Sequence, residues 1–303
     1  MSTAPLIAIV GPTAVGKTAL SLQLAHHLGG EIVSADSRQV YRQMDIGTAK
    51  ATAAEQAQAP HHLIDLVDPD EDFSLATYQD LAYAAIAEIT ARGRIPLLVG
   101  GTGQYLAAVL QGWQIPRVAP QPDLRARLEQ EAAEYGVATL YQRLQQLDPQ
   151  AASTILPGNL RRIIRALEVY EVSGQPISAQ QTMEPPPYRI TTLWLRMPAE
   201  QLYHRIDQRV DMMIAAGLLN EVLGLVERGY HWDLPAMSGL GYREFQPYVA
   251  GEQTLAQAVE RLKFDTHAFA RRQPAWFKRL PALHPIEAAS GSSFAQALQI
   301  LGR

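Results

Sequence analysis

The sequence predicts an α/β fold in which a parallel sheet, flanked by helices, is interrupted by an all-helical insertion. Short apolar runs, typical of strands buried on both faces, alternate with segments of helical periodicity. The first apolar run leads through a glycine-rich turn directly into a helix. Between about residues 113 and 187, by contrast, there are helical segments but no β-branched apolar run. We therefore divide the chain into a first core part (1–112), the insertion (113–187) and a second core part (188–303).

Composition narrows the class of protein. The 303 residues carry a formal net charge of −4, which excludes a uniformly basic nucleic-acid-binding protein but not local basic patches. The absence of cysteine excludes a disulfide framework, a thiol nucleophile and a cysteine zinc site. No apolar run approaches the ~18 residues that a membrane span needs. We expect a soluble, cytoplasmic monomer without a membrane partner.

The glycine-rich turn is a P-loop. Gly11-Pro12-Thr13-Ala14-Val15-Gly16-Lys17-Thr18 matches G-x-x-x-x-G-K-[ST] and lies between a predicted strand (6–10) and a predicted helix. In such a turn, backbone N–H groups and the helix dipole point at one phosphate. Lys17 would add a positive charge there, and Thr18 would offer a hydroxyl to Mg²⁺. Residues 11–18 are therefore predicted to bind a phosphate chain with Mg²⁺ as cofactor, in a P-loop NTPase-like sheet.

A second strand (31–35) ends at Asp36. Ligands of open α/β sheets bind beyond the carboxyl ends of the strands, so Asp36 is a candidate catalytic carboxylate. A helix-cap or turn carboxylate is the alternative. Residues 38–50 have no clean period and suit a ligand-contacting loop. A third strand is predicted at 62–67, and the adjacent His61 and His62 are interpreted as structural because they lack metal-ligand spacing.

The next strand lacks the acid of a common P-loop NTPase. Ser74 is expected to cap a helix, and a buried strand (95–99) follows it. That strand leads into Gly100-Gly101-Thr102-Gly103, where a Walker-B Asp would help to hold Mg²⁺ in an ATPase or GTPase. The missing carboxylate disfavours those activities.

The insertion is predicted to contain helices at about residues 122–135, 137–147 and 159–173. The third of them carries Arg161, Arg162 and Arg165, and Glu168 follows Arg165 by three residues. A solvated face with salt bridges and a phosphate-contacting patch both remain open.

The second core part is expected to contain a strand (190–195) and a helical run (about 199–228) that breaks at Gly217. Arg209 on this run could point at the same phosphates as Lys17, or pair with Asp211. A glycine-rich loop (235–244) is expected to expose its Tyr and Arg. Thr254 is expected to cap a final long helix in which aromatic and basic residues interleave as far as Arg279. This helix suits either RNA binding or burial of its aromatic side chains.

Six segments, in order, resemble the bacterial tRNA dimethylallyltransferase family, and the resemblance runs from about residue 6 to residue 280. They are Gly11–Thr18, Ser34–Tyr41, Met44–Lys50, Gly100–Gly103, Arg161–Val169 and Gly241–Glu244. The resemblance implies a fold like that of nucleotide kinases, in which the P-loop holds the diphosphate of dimethylallyl diphosphate. It implies transfer of the dimethylallyl group to the exocyclic amine of the adenosine 3′-adjacent to the anticodon, with release of diphosphate. The implied partners are dimethylallyl diphosphate and the anticodon stem-loop of tRNA.

The resemblance also assigns roles to residues. Asp36 would be the general base. Lys17, Arg209 and a Mg²⁺ bound by Thr18 would stabilise the departing diphosphate. The positions matching tRNA contacts in the family are Asp36, Ser37, Arg38, Gln39, Thr102, Arg125, Arg161, Arg162, Ile163, Ile164, Arg165, Met237, Ser238, Gly239, Leu240, Gly241 and Tyr242.

The chain departs from the family pattern at a few positions. His267 and Ala268 follow Thr266 where Arg and Gln are usual, Gln104 replaces an apolar residue, and Arg38 stands where Met is commoner. Three alternative functions remain open at this point: a small-molecule kinase, a prenyltransferase acting on free adenine nucleotides, and a non-enzymatic P-loop module that binds RNA.

Overall fold

A computed structural model describes residues 3–303, except that nothing is described of the Ser290 side chain. The chain forms two compact units. One combines the residues up to Gln111 with Pro186–Arg303, and the other is Gly112–Pro185. The first unit holds the sheet and the second is built from helices, so the predicted fold class is confirmed.

The sheet has six parallel strands in the order β3-β2-β4-β1-β5-β6. Val10 of β1 pairs with Gly100 of β4, and Gly100 pairs with Ala35 of β2. The segments that begin at Gly11, Gly101 and Asp36 therefore leave the sheet side by side at one edge. The strands are β1 (Ala4–Val10), β2 (Gly30–Ala35), β3 (His61–His62), β4 (Ile95–Gly100), β5 (Tyr188–Arg196) and β6 (Leu283–Glu287).

Fifteen α-helices are present among the described residues. No helix of residues 3–303 is long and apolar enough to cross a membrane. In chain order they are α1 (Lys17–Leu28), α2 (Ala53–Gln56), α3 (Leu75–Ala91), α4 (Gly103–Leu110), α5 (Pro122–Tyr135), α6 (Val137–Leu147), α7 (Pro149–Thr154), α8 (Leu160–Ser173), α9 (Ile177–Gln180), α10 (Ala199–Ala215), α11 (Leu218–Glu227), α12 (Gln246–Val249), α13 (Leu255–Arg272), α14 (Pro274–Phe277) and α15 (Ser293–Ile300).

Two predicted elements are shorter than expected. The third strand ends after His62 because Leu63 and Asp65 adopt positive φ angles of 64° and 54°, which an extended strand excludes. The helix capped by Thr254 ends at Arg272, and Pro274 starts the short helix α14. Proline lacks an N–H and cannot continue the hydrogen bonding of the preceding helix.

Strand β6 and helix α15 were not predicted, so the Thr254 helix is not the final one. Strand β6 lies at the edge of the sheet, and of its five residues only Ile286 is buried. Pro285 is tolerated at such an edge, but it hides the strand in the sequence. Helix α15 has only eight residues, and an apolar stretch of that length cannot be assigned to a helix by periodicity alone.

The helical unit contains α5 to α9 around its own core. Helices α5, α6 and α8 have nearly the predicted bounds, whereas the short helices α7 and α9 were missed. Asp148 links these two helices: its carboxylate accepts hydrogen bonds from the backbone N–H of Ala151 in α7 and of Ser178 in α9, both at 2.9 Å. Leu128, Leu140, Leu144, Ile163 and Leu167 are among the core residues.

Candidate active site

The P-loop connects β1 to α1 at the carboxyl edge of the sheet. A β-carbon at Gly11 would lie 2.9 Å from the carbonyl oxygen of Leu195 in β5, so the close approach requires glycine. Gly16 has a φ of 106° and caps α1 in a left-handed conformation that glycine favours. Helix α1 therefore starts directly at this loop. Its first N–H groups, which have no partner within the helix, lie there. Of the predicted phosphate-binding residues, Thr13, Ala14, Gly16, Lys17 and Thr18 line the adjacent cavity, whereas Gly11, Pro12 and Val15 are buried behind it.

The ammonium group of Lys17 lies inside the loop. Its Nζ donates hydrogen bonds to the carbonyl oxygens of Gly11 and Pro12, both at 2.9 Å. Burial, followed by the positive charge of Arg209, lowers the pKa of Lys17 to about 8, and the carboxylate of Asp36 opposes this change. Lys17, Arg209 and Asp36 are thus within electrostatic reach of one another.

Arg209 projects from α10 into the same cavity. Burial lowers its pKa from the ordinary value, while the carboxylates of Asp36 and Glu55 oppose the change. Asp211, the alternative partner of Arg209, instead forms an ion pair with Lys263 (Oδ1–Nζ, 2.8 Å). Arg205, one turn before Arg209, also lines the cavity. Arg205 was not among the predicted site residues, although its spacing of four from Arg209 was a signal for it.

Asp36 stands immediately after β2 and also lines the cavity. Its Oδ1 accepts a hydrogen bond from the backbone N–H of Arg38 at 2.9 Å, the local turn bond that short acidic side chains favour. From the described residues, 3–303, Oδ2 accepts no hydrogen bond. The side chain is therefore a turn carboxylate at one oxygen and an available proton acceptor at the other.

The turn after β4 lies against Asp36. A β-carbon at Gly100 would lie 2.1 Å from the carbonyl oxygen of Ala35, so only glycine fits beside β2. Thr102 Oγ1 accepts a 3.0 Å hydrogen bond from the backbone N–H of Ser37. A backbone turn and the Thr102 hydroxyl thus stand where a common P-loop NTPase has its Walker-B carboxylate.

Gln273 was missed by the sequence analysis. Its Oε1 accepts a hydrogen bond from the backbone N–H of Thr13, and its Nε2 donates one to the carbonyl oxygen of Gly101, both at 2.9 Å. The side chain is buried and joins the P-loop to the turn after β4. The only sequence signal was a glutamine just before the helix-breaking Pro274.

Two of the predicted tRNA contacts lie in the glycine-rich loop and need correction. Met237 and Tyr242 are fully buried, so their side chains do not reach a surface, and the expected exposure of Tyr242 is wrong. The hydroxyl of Tyr242 instead donates a 2.7 Å hydrogen bond to Glu221 of α11. Ser238 is exposed and lines the cavity together with Gly239, Leu240 and Gly241.

The segment after Asp36 is held by the neighbouring loops. The guanidinium of Arg38 donates hydrogen bonds to the carbonyl oxygen of Pro235 and to Ser238 Oγ. Gln39 Nε2 donates to the carbonyl oxygens of Thr48 and Ala49, at 3.3 and 3.2 Å. Ser37, Arg38 and Gln39 all line the cavity, as predicted for a ligand-facing segment.

The cavity has a volume of about 770 Å³ and combines two surfaces. The P-loop, Lys17, Arg205 and Arg209 form a cationic end. An apolar wall comes from α10 and α13 and includes Met213, Leu262 and Phe269. Such a site suits a ligand with an anionic group and an apolar group.

The donor atoms fit a Mg²⁺ ion that arrives with a phosphate ligand. No group of three or more His, Cys, Asp or Glu side chains within residues 3–303 could hold a metal ion. Thr18 is exposed at the cavity and offers a hydroxyl. Because Mg²⁺ keeps several waters and binds through few protein groups plus substrate phosphates, the Thr18 hydroxyl is the kind of ligand that this ion uses.

In the helical unit, the arginine side chains divide into paired and unpaired ones. Glu168, fully buried, pairs with Arg125 (Nε–Oε1, 2.7 Å) and with Arg165 (Nη1–Oε2, 2.6 Å). Burial raises the pKa of Glu168, but hydrogen bonds from the two arginines and from the Gln121 backbone lower it below the ordinary value. Arg161 and Arg162 are exposed and make no ion pair with the described residues.

Ile163 and Ile164 require a correction. They are 0% and 4% exposed and belong to the core of the helical unit. Their side chains therefore do not contact a ligand in this conformation, and they serve to fix the helix that presents Arg161 and Arg162.

The end of α13 and helix α14 also divide the basic and aromatic residues. Arg271, Arg272, Lys278 and Arg279 are exposed, whereas Phe277 is fully buried. Trp276 packs against Gly103, where a β-carbon would lie 2.3 Å from the indole, and it lines the cavity beside Arg272. The aromatic residues thus pack the fold or line the cavity, and the basic residues face solvent.

Comparisons with known proteins identify the family of this chain. Residues 39–280 match the family model described as IPP transferase, and residues 4–65 match the one described as isopentenyl transferase. A tRNA dimethylallyltransferase of Roseiflexus castenholzii is 72% identical over 94% of this chain and 93% of its own length. A relative of the same name from Chloroflexus aurantiacus is 66% identical over 92% and 94%.

Solved structures agree. A full-length tRNA isopentenylpyrophosphate transferase of Bacillus halodurans has a TM-score of 0.73 at 42% identity and covers 98% of this chain and 96% of its own. A eukaryotic dimethylallyltransferase acting on tRNA has a TM-score of 0.84 at 29% identity, with coverage of 98% and 78%. The chain therefore belongs to the IPP transferase family.

Proposed function

We propose that the protein transfers the dimethylallyl group of dimethylallyl diphosphate to the exocyclic amine of the adenosine 3′-adjacent to the anticodon of tRNA. The observation that carries the proposal is the grouping of Asp36, Lys17 and Arg209 at one cavity that also has an apolar wall. This reaction needs a proton acceptor, two cations that bind a diphosphate, and an apolar wall that contacts the hydrocarbon group.

The diphosphate binds at the cationic end of the cavity. The N–H groups at the start of α1 and the ammonium of Lys17 contact its oxygens, and Arg209 approaches from α10. Thr18 would hold Mg²⁺ together with the diphosphate, and the ion would supply additional positive charge there. The dimethylallyl group lies towards the apolar wall that includes Met213 and Phe269.

Asp36 acts on the acceptor amine. The lone pair of the exocyclic nitrogen is delocalised into the purine, which makes it a weak nucleophile. Oδ2 of Asp36 accepts a hydrogen bond from the amine, orients its lone pair and takes the proton as the new bond forms. The hydrogen bond from the Arg38 N–H to Oδ1 keeps the carboxylate in place.

Bond formation and cleavage are balanced in one displacement. The nitrogen bonds to C1 of the dimethylallyl group, the C1–O bond breaks, and diphosphate departs with the electron pair. The allylic carbon tolerates positive charge, so the transition state can be loose. Lys17 and Arg209 stabilise the charge that grows on the leaving diphosphate.

The turn after β4 favours transfer of the dimethylallyl group over transfer of a phosphoryl group. A small-molecule kinase would use a carboxylate at this position to help hold Mg²⁺, and this chain has Gly101 and Thr102. Thr102 instead binds the backbone of Ser37, next to Asp36.

The acceptor is proposed to be tRNA because cationic side chains extend beyond the cavity. Arg272 stands at the cavity, and Arg271, Lys278 and Arg279 are exposed near it in the chain. Exposed arginines of this kind contact phosphates, and the base itself must leave its stack to reach Asp36. We further propose that the enzyme works in the cytoplasm as a monomer, because the P-loop, Asp36 and Arg209 of a single chain already line a common cavity.

The test is a transfer assay with Mg²⁺, radiolabelled dimethylallyl diphosphate and either unmodified tRNA or AMP. Label in tRNA alone, located at the adenosine beside the anticodon, is the expected result. Label in AMP alone would reassign the protein to the prenylation of free nucleotides. ATP hydrolysis without label in either acceptor would contradict the proposed reaction.

A further inference from the structure

Three successive backbone N–H groups converge on the side chain of Glu221. Its Oε2 accepts hydrogen bonds from Asp45 and Ile46, at 3.0 and 2.8 Å, and its Oε1 accepts one from Gly47 at 3.0 Å. Consecutive N–H groups that point at one spot form a concave anion site, and here a side chain of α11 fills it.

The same carboxylate binds the glycine-rich loop. The hydroxyl of Tyr242 donates to Oε1 of Glu221 at 2.7 Å. Burial, and after it the negative charge of Glu221, raises the pKa of Tyr242 well above the ordinary value, so the hydroxyl keeps its proton and remains a donor. Glu221 therefore joins two segments that are almost two hundred residues apart in the sequence.

Close packing of glycines accompanies these hydrogen bonds. A β-carbon at Gly47 would lie 2.6 Å from the ring of Tyr242, and one at Gly241 would lie 2.9 Å from the carbonyl oxygen of Gly47. Gly47, Thr48 and Ala49 line the cavity on one side of this junction, and Gly239, Leu240 and Gly241 line it on the other. Glu221 does not line the cavity, so it acts on the cavity only through these segments.

We propose that Glu221 is a positioning residue, which holds residues 45–49 and 239–242 in the arrangement that receives the acceptor base. The identity of that acceptor rests on the proposed function, whereas the arrangement of the two segments does not. A carboxylate is required because all four partners are donors. A carboxamide would turn its own NH₂ towards at least one of them.

The experiment compares Glu221→Gln with Glu227→Gln, a control on the same helix whose side chain is exposed. Steady-state kinetics are measured with each substrate varied, and amide hydrogen exchange is followed at Asp45, Ile46 and Gly47. Glu221→Gln is expected to raise the KM for tRNA about tenfold, while the KM for dimethylallyl diphosphate stays within about twofold. The three amides should exchange faster, and Glu227→Gln should match the wild type in both measurements.

Unchanged exchange of the three amides, or an equal loss for both substrates, would overturn the proposal. If Glu221→Gln does not fold, Tyr242→Phe replaces it, because that variant removes one donor and leaves the carboxylate in place. Tyr242→Phe should raise the KM for tRNA and the exchange rates of the three amides, but by less than Glu221→Gln. If the wild type transfers no dimethylallyl group to tRNA, the proposed function fails, and the exchange data still decide whether Glu221 holds the two segments.

Discussion

Arg209 lies close enough to Lys17 for its positive charge to help lower the pKa of the ammonium group. Burial is the larger cause, and together they bring the pKa of Lys17 to about 8. Two cations that repel each other in the free protein form a site whose electrostatic energy falls when an anion arrives. The pair therefore stores part of the driving force for diphosphate binding.

This relationship predicts a pH dependence. Lys17 is charged below pH 8 and loses its proton as the pH rises through that value, so kcat/KM for dimethylallyl diphosphate should fall above about pH 8. Bound diphosphate raises the pKa of Lys17, and the alkaline limb of kcat should consequently lie at higher pH than that of kcat/KM. Rate profiles between pH 6 and 10 measure both limbs.

Arg209→Gln should move the alkaline limb of kcat/KM upwards, because it removes one of the two causes that lower the pKa of Lys17. Arg205→Gln is the matched control on α10. It removes a cavity-lining cation that is not a cause of the Lys17 shift, so kcat/KM should fall without movement of the limb. Equal limb positions in Arg209→Gln and the wild type would contradict the coupling.

Asp36→Asn is predicted to separate binding from turnover. The amide oxygen can still accept the hydrogen bond from the Arg38 N–H, so the turn should persist, but the amide cannot take a proton. Turnover should fall by about 10²–10⁴, the usual worth of a general base, while tRNA affinity stays nearly constant. Single-turnover kinetics and filter binding measure the two quantities, with the exposed Asp70→Asn as control. Unchanged turnover would remove Asp36 from the role of base.

Gln273→Ala is predicted to cost stability and diphosphate affinity together. It leaves the partly buried N–H of Thr13 and the buried carbonyl of Gly101 without their partner, which costs about 1–3 kcal/mol of unfolding free energy. The P-loop loses its tie to the turn after β4, and the KM for dimethylallyl diphosphate should rise. Urea denaturation and steady-state kinetics test this, and Gln253→Ala, at an exposed site, should change neither. A stable variant with a normal KM would show that the bridge has no such role.

The contrast between Asp36 and Gln273 shows what the sequence could predict. Asp36 was found because a carboxylate at the end of a buried strand is a local pattern, and the P-loop because eight adjacent residues specify it. Gln273 and Glu221 bind backbone groups 260 and about 175 positions away in the chain. No local periodicity encodes such partners, which appear only once the chain has folded.

Burial explains the remaining differences. Tyr242 was read as exposed because it stands in a glycine-rich loop, yet the space left by Gly47 accommodates its ring. Strand β6 was missed because it lies at the sheet edge and buries only one residue, so no continuous apolar run announces it. Tertiary packing decided both cases against the local signal.

Arg162→Ala and Arg125→Ala are predicted to differ, although both residues were matched to tRNA contacts. Arg162 is exposed and makes no ion pair within residues 3–303, so its loss should leave the unfolding free energy unchanged. It should weaken tRNA binding and reduce the slope of log Kd against log salt by about one.

Arg125 holds both oxygens of the buried Glu168, and its removal leaves only Arg165 to compensate that charge. Arg125→Ala should therefore also lower the unfolding free energy, by about 1–3 kcal/mol, since Arg165 still pairs with the buried carboxylate. Denaturation curves and salt-dependent binding distinguish the two variants, and a normal salt slope in Arg162→Ala would show that its face is merely solvated.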